Sequence, residues 1–104
     1  MAEATRKVVV TGSIQARPER IDELLGLSLE HVRRSRTEPG CISHAVHRDV
    51  EDPLRLVFVE EWADRAALLA HFAVPASRVF VKAAAACASA APTMALYEVD
   101  ALRL

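Results

Sequence analysis

Six side chains in the middle of the chain are the ones whose types and spacing could do chemistry. Cys41, His44 and His47 lie in EPGCISHAVHRDVEDP, and Glu60, Trp62 and His71 lie in the stretch that follows. Two histidines three positions apart would share one side of a helix and could hold a metal together. On a strand the same spacing sends them to opposite faces. The residues around them read as a strand, so His44 and His47 are not expected to ligate one ion, and Cys41 completes no recognised zinc pattern. Either histidine alone could act as a base, because an imidazole changes charge near neutral pH. Glu60 and Trp62 are two apart on the next strand and share a face with Phe58, whereas Glu61 points the other way. A carboxylate beside an indole in an apolar pocket is a candidate general acid or base. His71 falls late in a helix, where the negative end of the helix dipole favours it, and a structural role is expected there.

The elements that must position these residues follow from periodicity. Lys7 to Ala16 alternates, with Val8, Val10, Ile14 and Ala16 on one parity, and predicts a strand with one apolar face. Pro18 and Glu19 suit the first turn of a helix. Ile21, Leu24, Leu25, Ser28, Leu29 and Val32 continue it at helical spacing until Pro39-Gly40 prevents extension, so it should stop near Thr37. Cys41 to Val50 and Leu54 to Ala63 read as strands joined by the Glu51-Asp52-Pro53 turn, an antiparallel hairpin. Asp64 can cap a helix starting at Arg65. Pro75 breaks that helix, and an alanine-rich helix follows to about Ala90, with Val79, Phe80, Ala83 and Cys87 at core spacing. Its small side chains permit either close packing on the sheet or space for a ligand. Met94 to Leu104 alternates as a last strand.

Strand, helix, strand, strand, helix, strand is the split β-α-β plan: an α+β, ferredoxin-like βαββαβ fold with a four-stranded antiparallel sheet and helices on one face. The central strands are apolar on both parities, with Val9, Val57 and Val59 opposite Leu54, Leu56, Phe58 and Trp62. A face open to water should alternate more cleanly. No element is left to cover it, so a homodimer packed sheet against sheet is expected.

Composition bounds the rest. At 104 residues, with 52% apolar and 26% charged side chains, the chain has the make-up of one globular domain. Residues 1–6 are expected to be a flexible N-terminus and 7–104 the domain. The net charge of -1, from 13 basic and 14 acidic residues, offers no broad positive field for nucleic acid or an anionic membrane. The apolar run Val8 to Val10 is too short for a signal peptide or a membrane span, so a cytoplasmic location is expected. Cys41 and Cys87 make no disulfide framework and are expected in the core as thiols. The three glycines, Gly12, Gly26 and Gly40, form no phosphate loop or dinucleotide fingerprint, and no serine sits in a nucleophile elbow.

Glu38 to Pro75, EPGCISHAVHRDVEDPLRLVFVEEWADRAALLAHFAVP, resembles the antibiotic biosynthesis monooxygenase family, dimeric α+β barrel proteins that include quinol monooxygenases. The resemblance rests on Glu38-Pro39-Gly40-Cys41, the Glu51-Asp52-Pro53 turn, and Glu61-Trp62-x-Asp64 leading to Ala67-Leu68-x-x-His71. It implies a dimer joined through its sheets, a cavity between sheet and helices in each subunit, and oxygenation of quinols or anthrone-like aromatics by dioxygen without metal, flavin or other cofactor. Trp62 stands at the position of the family's active-site tryptophan. Phe58 and Phe80 are expected to line the substrate pocket with it, and Glu60, His44 and His47 are the candidate proton acceptors. Ala76 replaces a histidine frequent in the family. There is no asparagine in the chain and no haem-ligating histidine near Val79 to Lys82, which disfavours haem degradation. A non-catalytic aromatic-binding or stress-associated dimer is the first alternative, favoured by Ala76, and an isomerase or decarboxylase is the second.

Overall fold

The computed structural model describes residues 6–104; residues 1–5, most of the expected flexible N-terminus, lie outside the described residues. Arg6 is not loose: its Nη2 donates to the Glu98 carbonyl at 3.1 Å and pairs with Asp100 at 3.2 Å. The strands are β1 (Lys7–Gln15), β2 (Cys41–Arg48), β3 (Arg55–Trp62) and β4 (Thr93–Val99). The helices are α1 (Ile21–Ser35), entered through a 3-10 turn at Pro18–Arg20, then α2 (Arg65–Ala73) and α3 (Pro75–Cys87). The sheet order is β2-β3-β1-β4 with every neighbour antiparallel, as the split β-α-β plan requires.

Turn chemistry sets the register of the hairpin. Asp49 Oδ1 accepts from the Glu51 amide at 2.8 Å and Asp52 Oδ1 from the Leu54 amide at 3.1 Å, two Asx turns that fold residues 49–54 back on themselves. Phe58 then pairs with Val46 and Glu60 with His44. Across β1 and β3, Val8 pairs with Trp62, Val10 with Glu60 and Gly12 with Phe58, so one parity of each strand faces the helices. Asp64 Oδ1 caps α2 by accepting from the Ala67 amide at 2.8 Å. Val74 is extended before Pro75, which forces a bend of 72° between α2 and α3.

Several boundaries differ from expectation. The third helix ends at Cys87 rather than Ala90, and β4 ends at Val99, leaving residues 100–104 outside any strand. Along α3 the inward stripe is Ser77, Phe80, Ala84 and Cys87, whereas Val79, expected in the core, is 68% exposed. On α1 the buried positions are Leu24, Ser28, His31, Val32 and Ser35, and Leu29 is exposed. Cys87 is buried as expected, but Cys41 is only partly so. Two apolar clusters result. One joins Ile14, Leu24, Val32, Leu56, Phe58 and Cys87; the other joins Val8, Val10, Trp62 and Leu68. The face of the sheet away from the helices carries Val59 and Tyr97 exposed in the single chain. Among the described residues no single helix is long and apolar enough to cross a membrane.

Candidate functional site

Between the two clusters, on the helix side of the sheet, lies a nest of buried polar side chains. Four elements build it. β2 and β3 place His44, Glu60 and Trp62 inward by strand alternation. α1 contributes His31 and α2 contributes His71, both buried. The three imidazoles stand in a near-equilateral triangle, with ring centroids 5.3 Å apart for His31–His44, 5.3 Å for His31–His71 and 5.6 Å for His44–His71.

Each histidine is held differently. His71 Nδ1 lies 2.7 Å from Glu38 Oε1, and Glu38 also pairs with Arg34 Nη1 at 3.0 Å. Since the carboxylate accepts, Nδ1 carries a proton, and in the neutral ring the lone pair is on Nε2. His31 is the reverse case. Arg34 Nη2 is 2.7 Å from His31 Nδ1, and a guanidinium can only donate, so Nδ1 accepts and Nε2 carries the hydrogen. The His31 ring stacks on Phe80 with centroids 4.0 Å apart. His44, 2% exposed, has Nε2 only 3.2 Å from Glu60 Oε1, yet the contact is off the line of a hydrogen bond, and neither ring nitrogen has a directed partner. Glu60 Oε1 accepts from Trp62 Nε1 at 2.9 Å.

These contacts set the charges. Burial pushes the His31 pKa down, the neighbouring His44, His71 and Arg34 push it further, and Glu60 opposes them only in part, leaving it at about 3. Burial alone would raise the Glu60 carboxyl, but His44 and the Trp62 N–H outweigh it and hold the group below the ordinary carboxylate range.

Two expected results follow. In the unfolded chain His31 takes up a proton near pH 6.5, whereas the folded protein resists until about pH 3, so its contribution to stability is present above pH 6.5 and lost as the pH falls through that window. Urea unfolding between pH 7 and pH 4 should therefore show a slope steeper in the native protein than in His31→Gln, by up to about 1 kcal/mol per pH unit. Trp62→Phe keeps the ring but removes the N–H, and should cost about 2–3 kcal/mol in urea unfolding. It should also raise the Glu60 pKa, read from the side-chain carboxyl signal by NMR.

The nest opens on a cavity of about 570 Å³ between β1, β3, β4 and α3. Its wall is mostly apolar, from Val10, Ile14, Phe58, Phe80, Val81 and Met94, and His31, Glu60, His71 and Ser77 are among its polar groups, with Ser13, Arg78 and Thr93. Small residues keep it open. Gly12 on β1, between the inward-facing Val10 and Ile14, and Ala84 on α3 both border it. The alanine run thus leaves space instead of closing on the sheet.

A family profile for the antibiotic biosynthesis monooxygenases matches residues 7–83. The chain belongs to that family. An uncharacterized protein of Synechocystis sp. is 39% identical over 75 residues, covering 72% of this chain and 51% of the relative, so the chain spans about half the length of the curated relative it matches. A crystal structure of an antibiotic biosynthesis monooxygenase, 35% identical, covers 92% of this chain and 99% of that one with a TM-score of 0.83. A conserved protein from Methanosarcina mazei Go1, 23% identical, covers 92% and 95% with a TM-score of 0.87 and shows the fold alone.

For this antibiotic biosynthesis monooxygenase family member the structure sorts the expected site residues. Glu60, Phe58 and Phe80 border the cavity. His44 lies behind Glu60, inside the nest. Two expectations need correction. His47 is exposed on the opposite face of the sheet, because β2 alternates, and has no access to the cavity. Trp62 is 0% exposed and is not part of the cavity wall. Its side chain is enclosed by Val8, Val10 and Leu68, so it acts through Glu60 and through His71, whose ring centroid is 4.6 Å away, rather than by touching a ligand. His71, expected to be structural, borders the cavity. His31 gave no signal of its own in the sequence; its position on the inward stripe of α1, one residue before Val32, was the one available clue.

Proposed function

We propose that this family member is a monooxygenase that takes a planar aromatic of the quinol or anthrone type into the cavity and oxygenates it with dioxygen, without a bound cofactor. His71 is the proton acceptor. The observation that carries the reading is a part-buried carboxylate–imidazole pair, Glu38–His71, with His71 at the wall of an apolar cavity large enough for such a ligand. Glu38 fixes the ring and its tautomer, and Nε2 takes the acidic proton of the substrate. The resulting carbanion or phenolate gives an electron to dioxygen, and the radical pair joins in a C–O bond. For a CH2 between two aromatic rings, His71 returns its proton to the peroxide anion and the hydroperoxide loses water: one oxygen atom stays as the carbonyl and the other leaves with both hydrogens of the original carbon. Arg34 and Glu60 steady the charge of the nest, and the apolar wall orients the rings.

The same reading includes a homodimer through the outer sheet face, where Val59 and Tyr97 would be covered. Two measurements test the oxygenase. Turnover of anthrones and dihydroxynaphthalenes under 18O2 should give product carrying one labelled atom and water carrying the other. Unlabelled rearranged product would mean an isomerase or decarboxylase, and binding without turnover would mean a ligand-binding protein. Ala84→Leu should fill the cavity and weaken binding of these aromatics by about 10–100-fold, the equivalent of the cost of overpacking. Titration of the ligands' own absorbance reads the affinity directly.

A further inference from the structure

We infer that His31, His44 and His71, completed by the Glu60 carboxylate, form a site for one divalent transition metal of borderline softness, with zinc as the type. One ring nitrogen from each histidine lies within 4.8 Å of the others, and all three side chains are buried. Three imidazoles and one carboxylate are a donor set suited to zinc and its neighbours. The inference goes beyond the proposed oxygenation and does not rest on it.

Three independent features of the nest point to a ligand. His44 is enclosed with both ring nitrogens lacking a directed hydrogen bond, a state that buried imidazoles rarely keep. His71 already has the support that metal-bound histidines have, with Nδ1 on a carboxylate and Nε2 free. The third is charge. Within hydrogen-bonding reach of the three rings stand two carboxylates, Glu38 and Glu60, against the single guanidinium of Arg34. Arg36 turns to the His44 backbone carbonyl, and Arg78 is exposed at the rim of the cavity. With the three rings neutral, as metal binding requires, the carboxylates outnumber the guanidinium by one, which favours a divalent cation.

Arg34 is the element that must give way. Its Nη2 holds the His31 lone pair at Nδ1 and so leaves hydrogen on Nε2. For Nε2 to bind a metal, that proton moves to Nδ1 and Nη2 lets go. Arg34 keeps its place through Nη1, which is 3.0 Å from Glu38 and 3.2 Å from Ser77 Oγ. No proton leaves His31 in this exchange. The nitrogens must also draw together, since bonds of about 2.0–2.1 Å put tetrahedral ligand atoms roughly 3.3 Å apart. A metal so placed occupies the His71 lone pair, so the loaded protein lacks its proton acceptor.

The test uses tag-free protein stripped with a chelator and titrated with Co2+, whose visible bands report coordination number. One Co2+ per chain with the intense bands of a four-coordinate site, bleached by one equivalent of Zn2+, is the expected result. His44→Gln should lose the bands, and Glu38→Gln should weaken binding by about 10–100-fold. If His44→Gln does not fold by circular dichroism, His71→Gln serves in its place. Absence of these bands in the native protein at millimolar Co2+ would overturn the inference, as would an affinity unchanged by the histidine substitutions. Oxygen uptake by the metal-free protein is read separately; its failure would sink the proposed reaction and leave the metal site standing.

Discussion

His71→Gln is expected to lower the rate of oxygen uptake on a dihydroxyaromatic substrate by about 10²–10⁴-fold, the range for loss of a positioned general base. The affinity for the substrate should hardly change, because the apolar wall that binds the rings is untouched. Glutamine suits the test. It fills most of the imidazole's space in a buried position, and its amide can still donate to Glu38. What it lacks is a basic lone pair facing the cavity. Glu38→Gln should have a smaller effect of the same kind, since it leaves the imidazole in place but removes the carboxylate that fixes its tautomer. Stopped-flow or electrode measurement of oxygen consumption, with circular dichroism to confirm the fold, checks both. A kcat for His71→Gln equal to that of the native chain would remove His71 from the reaction.

The largest expected effect on stability comes from Gly40→Ala. Gly40 is the one described residue with positive φ, at 81°, and it turns the chain from the end of α1 into β2. A side chain there pays twice. The left-handed conformation costs about 1–2 kcal/mol for any residue with a Cβ. The new Cβ would also meet Ala67 Cβ at 2.5 Å, and relieving that overlap against α2 costs about another 1–3 kcal/mol. A total of about 2–5 kcal/mol is a large share of the roughly 5–15 kcal/mol that holds a domain together. The urea midpoint should fall accordingly. The same turn places Glu38 under His71, and the Gly40 carbonyl accepts from the Ala63 amide at 2.8 Å, so β3 is tied to it as well. The folded fraction of the variant should therefore also lose activity, whereas a purely local strain would leave the rate per folded molecule unchanged.

Particular residues show why the fold was legible and the site only half so. The parity of Val8, Val10 and Ile14, the Glu51-Asp52-Pro53 turn of the hairpin, the Asp64 cap and the break at Pro75 are all local, and each was readable from neighbours in the sequence. The same parity argument separated His44 from His47. Helix faces were less legible, because α3 turns Ser77, Ala84 and Cys87 inward and leaves Val79 outside. A cavity needs small residues on its wall, so the apolar stripe there is not the most hydrophobic one. The pairs that make the site are not local at all. Glu38 and His71 are 33 residues apart, and His31, His44 and His71 come from three elements. No spacing announces such a cluster. Alternation placed Trp62 beside Glu60 and the resemblance gave it an active-site role, and the structure showed that its indole reaches Glu60 rather than the cavity.

The most direct test is the protonation state of a bound ligand in the absence of oxygen. A dihydroxynaphthalene added anaerobically to metal-free protein, at a pH well below the ligand's own pKa, should show the red-shifted absorbance of its anion in the native chain and the neutral spectrum in His71→Gln. A ligand that binds the native protein tightly yet stays neutral would contradict a cavity built to remove its proton.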